Sequence, residues 1–501
     1  MTSNVTIRQL ATGVPGLDQV LGGGLSEFSF NLIAGPPGSG KTTLAHQIMF
    51  ALATPEHPAL YFTVLGEPPL KMLRYQQQFG FFDSEKVNQA IRFISLSDAS
   101  VEGDFNSVLC RITEEVRKQN PGLVFVDSFR SVVLAKQVLG ESQEQLQRFV
   151  YQLGVLMTSC QATTFLVGEY FNEPDSNPVC SVADGLIWLR QSVQRNSMVR
   201  KIEVLKMRGQ PTLPGLHTFR IDKGGIRVFA PVGQEVQARD ALTAVIGHEG
   251  RLSIGVRELD AMLGGGLPRG YSVLVAGPSG SGKSILAGAF LAEGARQGET
   301  GVIAAFEQQP SGSRNPMVAA LIAQGVVGIV DSRAPDLSID EIVHLIVAEI
   351  KRLQATRVVI DSLSGFELAL APTFRDDFRE SLSRMVTALA STGVTVLMTS
   401  ELEDRYTDLR FSPYGTAFLT DVIVVQRYIE IDSRLQRMIA VVKIRGSAHS
   451  NELRLFHIGD DGLNIGERLA NHVGLLGGRP TRESAPFSTL QLREMQTDAA
   501  A

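Results

Sequence analysis

Short apolar runs alternate with longer amphipathic stretches through both halves of the chain. In the first half, residues 30–34, 59–65, 91–95, 123–126, 163–167 and 185–189 are Val/Ile/Leu/Phe-rich runs of strand length. In the second half the same part falls to 272–276, 300–306, 328–330, 358–360, 394–398 and 421–426. Continuous apolar strands separated by amphipathic helices predict an α/β fold, a mainly parallel sheet covered on both faces. Each half then closes in a hairpin-like segment, 199–207 with 216–229 and 438–444 with 453–458. The periodicity lapses near 231–240, which sets expected domains at 1–235 and 241–480. Beyond Gly459 the pattern turns irregular, and 481–501 reads as a polar C-terminal tail.

One element occurs twice in the same place. Gly35-Pro36-Pro37-Gly38-Ser39-Gly40-Lys41-Thr42 and Gly277-Pro278-Ser279-Gly280-Ser281-Gly282-Lys283-Ser284 both fit G-x-x-x-x-G-K-[ST]. Each follows an apolar strand and opens an apolar helix (44–52 and 285–295), the setting a phosphate-binding loop needs. The glycines let successive N–H groups converge on one point, and Lys41 and Lys283 add a charge for the β- and γ-phosphates. Thr43 and Ile285 complete the two ATP-binding sets. The Thr42 and Ser284 hydroxyls are candidate Mg²⁺ ligands. Both loops are preceded by related leads, with Leu17-Asp18 and Leu21-Gly22-Gly23-Gly24-Leu25 answered by Leu259-Asp260 and Leu263-Gly264-Gly265-Gly266-Leu267. The fold expected is therefore two tandem P-loop NTPase domains.

Three further repeated features carry candidate chemistry. Apolar strands end in Asp127-Ser128 and Asp361-Ser362, where a carboxylate can hold a Mg²⁺-bound water or merely cap a helix. The strand after each loop helix offers Gly66-Glu67 or Glu307-Gln308, so Glu67 and Glu307 are the candidate bases. Lys206-Met207-Arg208-Gly209 and Lys443-Ile444-Arg445-Gly446 place a lysine and an arginine on one face of a strand, able to reach phosphate across a subunit boundary.

Composition narrows the classes. The 501 residues carry a net charge of −5, which disfavours nucleic acid as a partner. The three cysteines, Cys110, Cys160 and Cys180, form no C-x-x-C and read as thiols of a reducing compartment. No apolar run approaches the ~20 residues of a membrane span, and the first ten residues lack a signal-peptide profile. A cytoplasmic protein is expected.

These features together resemble the KaiC family of tandem RecA-like ATPases, over nearly the whole chain. The likeness rests on the L-D-x-x-L-G-G-G-L leads, the paired loops, the Asp-Ser strand ends and the K-x-R-G segments, and is strongest over 421–449. It implies a homo-hexamer with ATP and Mg²⁺ bound between subunits. One protomer would supply the loop and its neighbour Lys206 and Arg208, or Lys443 and Arg445. It also implies a signalling protein partner and a serine/threonine autokinase in the second domain. The family's phosphoacceptor pair falls here on Ala417-Phe418, which leaves Ser412, Thr416 and Thr420 as substitutes. Of the family's paired glutamates each domain keeps one, and in the first the base position itself is Gly66. A RecA/RadA-type DNA-dependent ATPase and an ATP-gated scaffold with little turnover are the competing readings.

Overall fold

The computed structural model describes residues 7–63, 69–96, 105–129, 143–170, 178–194, 197–232, 250–306, 316–330, 336–375, 378–402, 419–431, 433–459, 462–469, 472–473 and 481–482. Two compact units divide the chain, Met1–Pro231 and Val232–Ala501.

In the first unit the main strands are β1 (Phe30–Gly35), β2 (Ala59–Thr63), β3 (Ile91–Ser95), β4 (Leu123–Asp127), β5 (Thr163–Glu169), β6 (Gly185–Gln194), β7 (Ser197–Met207), β8 (Leu216–Asp222) and β9 (Gly225–Phe229). They form one sheet in the order β9-β8-β7-β6-β1-β5-β4-β2-β3. Neighbours from β6 through β1 to β3 run parallel, while β6 to β9 run antiparallel. The second unit repeats this with β10 (Ser272–Gly277), β11 (Gly301–Ala305), β12 (Val327–Val330), β13 (Arg357–Asp361), β14 (Thr395–Glu401), β15 (Val422–Ile431), β16 (Arg434–Ile444), β17 (Arg454–Gly459) and β18 (Gly462–Arg468). Their order, β12-β11-β13-β14-β10-β15-β16-β17-β18, is the same topology. Each unit is a RecA-like P-loop domain, and the chain carries two in tandem.

Alternation along β1 shows why both faces must be covered. Phe30, Leu32 and Ala34 face one cluster, with α2 (Phe105–Gln119) and α3 (Gln143–Ser159), and Ile33 faces the other, with α1 (Lys41–Leu52). In the second unit α4 (Lys283–Arg296) covers one face, and α5 (Ile339–Leu353) and α6 (Phe378–Ala390) the other. Helix α5 starts where its sequence says it should: Ser338 and Glu341 form a reciprocal capping box.

Two expectations need correction. The segment 216–229 is two strands, turned at Lys223-Gly224, where the Asp222 carboxylate accepts from the Gly224 N–H at 2.7 Å. The stretch just after Gly459 is also not irregular throughout, because Gly462–Arg468 forms the ninth strand of its sheet. Only Leu463 and Ile465 alternate inward there, too brief a period to stand out among Gly, Asn and Glu. Where the polar tail was expected to begin, Thr481–Arg482 pairs antiparallel with His472–Val473; residues 483–501 lie outside the described residues.

Candidate functional site

Each central strand, buried along its whole length, ends in the first glycine of a loop, Gly35 or Gly277. The chain turns through the loop and enters a helix at Lys41 or Lys283. Gly40 and Gly282 are the N-caps, with φ of 103° and 104° and no side-chain cap. A Cβ at Gly40 would stand 2.8 Å from Ile221, and one at Gly282 2.9 Å from Ile458, because the terminal hairpin packs behind the loop. Only glycine satisfies both demands. The uncapped N–H groups are left for an anion, which the helix dipole also favours.

The crests Pro37-Gly38 and Ser279-Gly280 are exposed, while Ser39 and Ser281 are buried beneath them. The Ser281 hydroxyl donates to Gln426 Oε1 at 3.1 Å. Lys41 Nζ donates to the Pro36 carbonyl at 2.8 Å, and Lys283 Nζ to those of Gly277 and Pro278 at 2.9 and 2.8 Å. Each lysine therefore lies across its own loop, its stem buried and its charge where phosphate oxygens can replace those carbonyls. Burial lowers the pKa of Lys41, opposed by the charges of Glu169 and Asp127.

At the end of β4, Asp127 Oδ2 accepts from the Thr42 hydroxyl at 2.8 Å and from the Tyr61 hydroxyl at 2.7 Å. Its packed surroundings push the carboxyl up, against those two hydroxyls and Lys41. In the second unit Asp361 accepts from the Thr399 hydroxyl, and the Ser284 side chain is exposed beside Lys283. Ser362, and not Asp361, caps the next helix, its hydroxyl accepting from the Gly365 N–H at 3.2 Å. That leaves the carboxylate for the site. The peptide bond after each aspartate is cis. A hydroxyl and a carboxylate beside a phosphate loop are the hard oxygen donors Mg²⁺ takes when phosphates and water fill its other positions, so these residues fit it. No group of three or more His, Cys, Asp or Glu side chains that could hold a metal ion occurs among the described residues.

The lysine–arginine pairs lie elsewhere. Met207 is opposite Gly185, which is level with Asn31 near the start of β1, whereas the loop begins at Gly35. At about 3.3 Å per residue the pair is roughly 15 Å from its own loop, at the other end of the sheet. The second unit repeats this through Ile444, Val422 and Val273. In both units the register shifts just before the lysine itself, with Leu205 and Val442 as the extra residues, a β-bulge that re-aims the strand end. Arg208 pairs with Asp184 at 3.0 Å and Arg445 with Asp421 at 3.3 Å. Lys206 Nζ reaches the Ser181 carbonyl at 3.3 Å and Lys443 Nζ that of Thr420 at 2.7 Å. Burial and the adjacent arginine lower the pKa of both lysines. The arginine side chains stay 58% and 59% exposed, open to another molecule.

The family model described as "ATPase: KaiC" matches residues 10–233 and again 252–470. The chain belongs to the KaiC ATPase family. It is similar to the circadian clock oscillator protein KaiC of Rippkaea orientalis, 28% identical over 96% of this chain and 93% of the relative. KaiC 1 of Synechocystis is 27% identical over 95% and 93%, and KaiC of Prochlorococcus marinus MIT 9313 is 24% identical over 96% and 97%.

Several KaiC-like residues singled out in the sequence, Glu67, Glu307, Ser412 and Thr416, lie outside the described residues. Thr420 is 1% exposed and its hydroxyl has no hydrogen-bond partner, so phosphorylation there requires the segment to open. Sequence reasoning missed other residues. Glu169 and Glu401 end the strands beside the loop strands, level with Gly35 and Gly277. Their signal was a glutamate repeated just after the fifth apolar run. Asp184 and Asp421 clamp the start of the loop strand, accepting from the Phe30 and Ser272 N–H groups at 3.0 Å each. The Leu-Asp leads act similarly: Asp18 accepts from the Thr12 N–H at 2.8 Å, and Asp260 from the Ile254 N–H at 2.8 Å.

One turn beyond Thr42, His46 is fully buried against Tyr61 (centroids 4.6 Å apart), with no hydrogen-bond partner on either ring nitrogen. Burial pushes its pKa down to about 4, an effect the nearby Gln76 amide only partly offsets. The unfolded chain binds this proton below pH ~6.5 and the native chain only near 4. Its contribution is therefore intact above pH ~6.5 and is lost as the pH falls toward 4, by about 3 kcal/mol. Urea unfolding at pH 7.5 and 4.5 is expected to show that much less acid sensitivity in His46→Leu. Equal acid sensitivity in the two proteins would refute this.

Proposed function

We propose that the chain is an ATP-hydrolysing signalling protein that works as a hexameric ring, its two domains (about 1–235 and 241–480) each binding ATP between neighbouring subunits. The observation that carries the reading is the position of the basic pairs. Arg208 and Arg445 are exposed at the sheet end opposite their own loops, so within each domain the arginine cannot serve the loop of that domain. A neighbouring copy supplies what is missing. In each site the loop amides and the lysine bind the phosphates, Thr42 with Asp127 or Ser284 with Asp361 hold Mg²⁺, and the neighbour's arginine meets charge developing on the transferred group. When bound, Mg²⁺ neutralises charge on the β- and γ-oxygens. Glu307 is the proposed base in the second domain. In the first, Glu67 is the proposed base, and the charge of Glu169 reaches both Lys41 and Asp127.

Mixing two defective variants tests the arrangement. Lys283→Ala and Arg445→Ala are each expected to lose second-domain turnover, and their mixed rings to regain a fraction of it, since some interfaces then pair an intact loop with an intact arginine. Phosphate release that stays at the level of the separate variants would reject shared sites. Mass spectrometry of the wild-type reaction, beside Glu307→Gln, decides autokinase activity: phosphate on Ser412, Thr416 or Thr420 in the wild type only establishes it. Without such phosphate, and with ADP formed, the protein signals through ring conformation alone. A clock role is no part of the proposal, because Ala417-Phe418 has no hydroxyl to modify.

A further inference from the structure

The aspartate beside each loop is held by a hydroxyl, and the two units draw that hydroxyl from opposite sides. In the first unit the donor is Tyr61 on β2. In the second it is Thr399 on β14, the strand on the other flank of the aspartate's own strand. The equivalent positions are apolar in each case. Ile303 stands in the second unit where Tyr61 stands in the first, as the register of both with their central partners shows. Val167 stands in the first where Thr399 stands in the second. The domains have thus solved one orientation problem twice, with unrelated residues.

The Tyr61 ring has little freedom. It is fully buried, 4.6 Å from His46, 5.4 Å from Phe93 and 5.9 Å from Phe125 between centroids. Its hydroxyl is thereby fixed, and it donates to the same carboxylate oxygen as Thr42. The two donors are not equivalent. The Thr42 hydroxyl can turn a lone pair to a cation while its proton stays on Asp127, so its position follows the metal. The Tyr61 hydroxyl is placed by packing and orients the carboxylate independently of it.

We propose that Tyr61 in the first domain and Thr399 in the second are positioning residues for the metal-site aspartate, each acting on metal-assisted nucleotide binding through Asp127 or Asp361. The inference rests on the ATP-site reading above and deepens it. A hydrogen bond to a charged group sets the scale at roughly tenfold or more in affinity.

The test uses the full-length chain carrying Lys283→Ala, so that the first domain is read alone. ATP affinity is measured by calorimetry with Mg²⁺ and with EDTA, with Tyr61 intact and with Tyr61→Phe. The phenylalanine retains the ring packing. The expected result is an unchanged affinity in EDTA and a Mg²⁺-dependent gain about tenfold smaller. In the Lys41→Ala background, Thr399→Val is expected to do the same for the second domain, and Tyr61→Phe to do nothing. An unaltered Mg²⁺ gain overturns the proposal. Equal losses with and without metal also overturn it, since a general packing defect would look like that. If the Lys283→Ala parent binds no ATP in either condition, the ATP-site reading of the first domain fails and this proposal falls with it, a failure visible before Tyr61 is touched.

Discussion

Lys283→Ala is expected to remove one of two ATP equivalents bound per chain, Lys41→Ala the other, and the double variant both. The two stems are buried, 9% and 7% exposed, and each ammonium is held on loop carbonyls. The charge is therefore already in place, and little side-chain entropy remains to be lost when phosphate arrives. Bonds from a charged donor contribute about 1.5–3 kcal/mol each. Two such bonds transferred to phosphate oxygens would make the loss roughly a hundredfold or more in affinity. Alanine keeps the helix, and the freed carbonyls lie near the exposed crest, so folding should survive. Calorimetric stoichiometry on the folded variants reads the result. Two equivalents bound to either single variant would remove the loops from the site.

Glu299→Ala is expected to cost the second unit about 3 kcal/mol, through a buried arginine. Arg357 is fully buried, its Nε 2.7 Å from Glu299 and one Nη 2.8 and 2.9 Å from the Ser253 and Phe290 carbonyls. Its guanidinium lies over the Phe290 ring at 4.7 Å. It thus ties the lead before the loop to the loop helix and to the strand that ends in Asp361. Removing one partner of a buried pair strands the other charge, typically at 3–5 kcal/mol; Glu299 is 14% exposed, which argues for the low end. Arg357→Leu should cost less, because no charge is left buried and Glu299 keeps Arg269 at 2.8 Å. The chain contains its own precedent, Leu123, at the matching strand start of the first unit. Urea unfolding of Glu299→Ala, Arg357→Leu and the double variant reads this. A double variant no better than the sum of the singles would mean the pair is not coupled.

Sequence reading recovered the parallel sheets because the core strands are mostly short apolar runs. It missed β18 because Leu463 and Ile465 are its only inward apolar residues, a signal as brief as a turn. The loops were legible in full, since their chemistry needs fixed glycines at fixed spacing. Tyr61 was not: within 59–65 it reads as one more apolar strand residue, and its hydroxyl matters only because β2 lies beside β4. Glu169 was hidden in the same way, its importance coming from its register with Gly35.

The basic pairs divide the two kinds of information most clearly. Sequence alone predicted a lysine and an arginine on one strand face near the end of each domain, because side chains alternate along any strand; Lys206 and Lys443 lie in the strands, and Arg208 and Arg445 one residue past their ends. Which end of the sheet that face occupies depends on the antiparallel return of β7 and β16, a pairing between residues distant in the chain. The sequence by itself set the family, the doubled domain and the phosphate loops, which are local and repeat. Tertiary structure decided which carboxylates and hydroxyls meet at each loop and which cations turn away from it, because those relations arise only when separate strands are laid side by side.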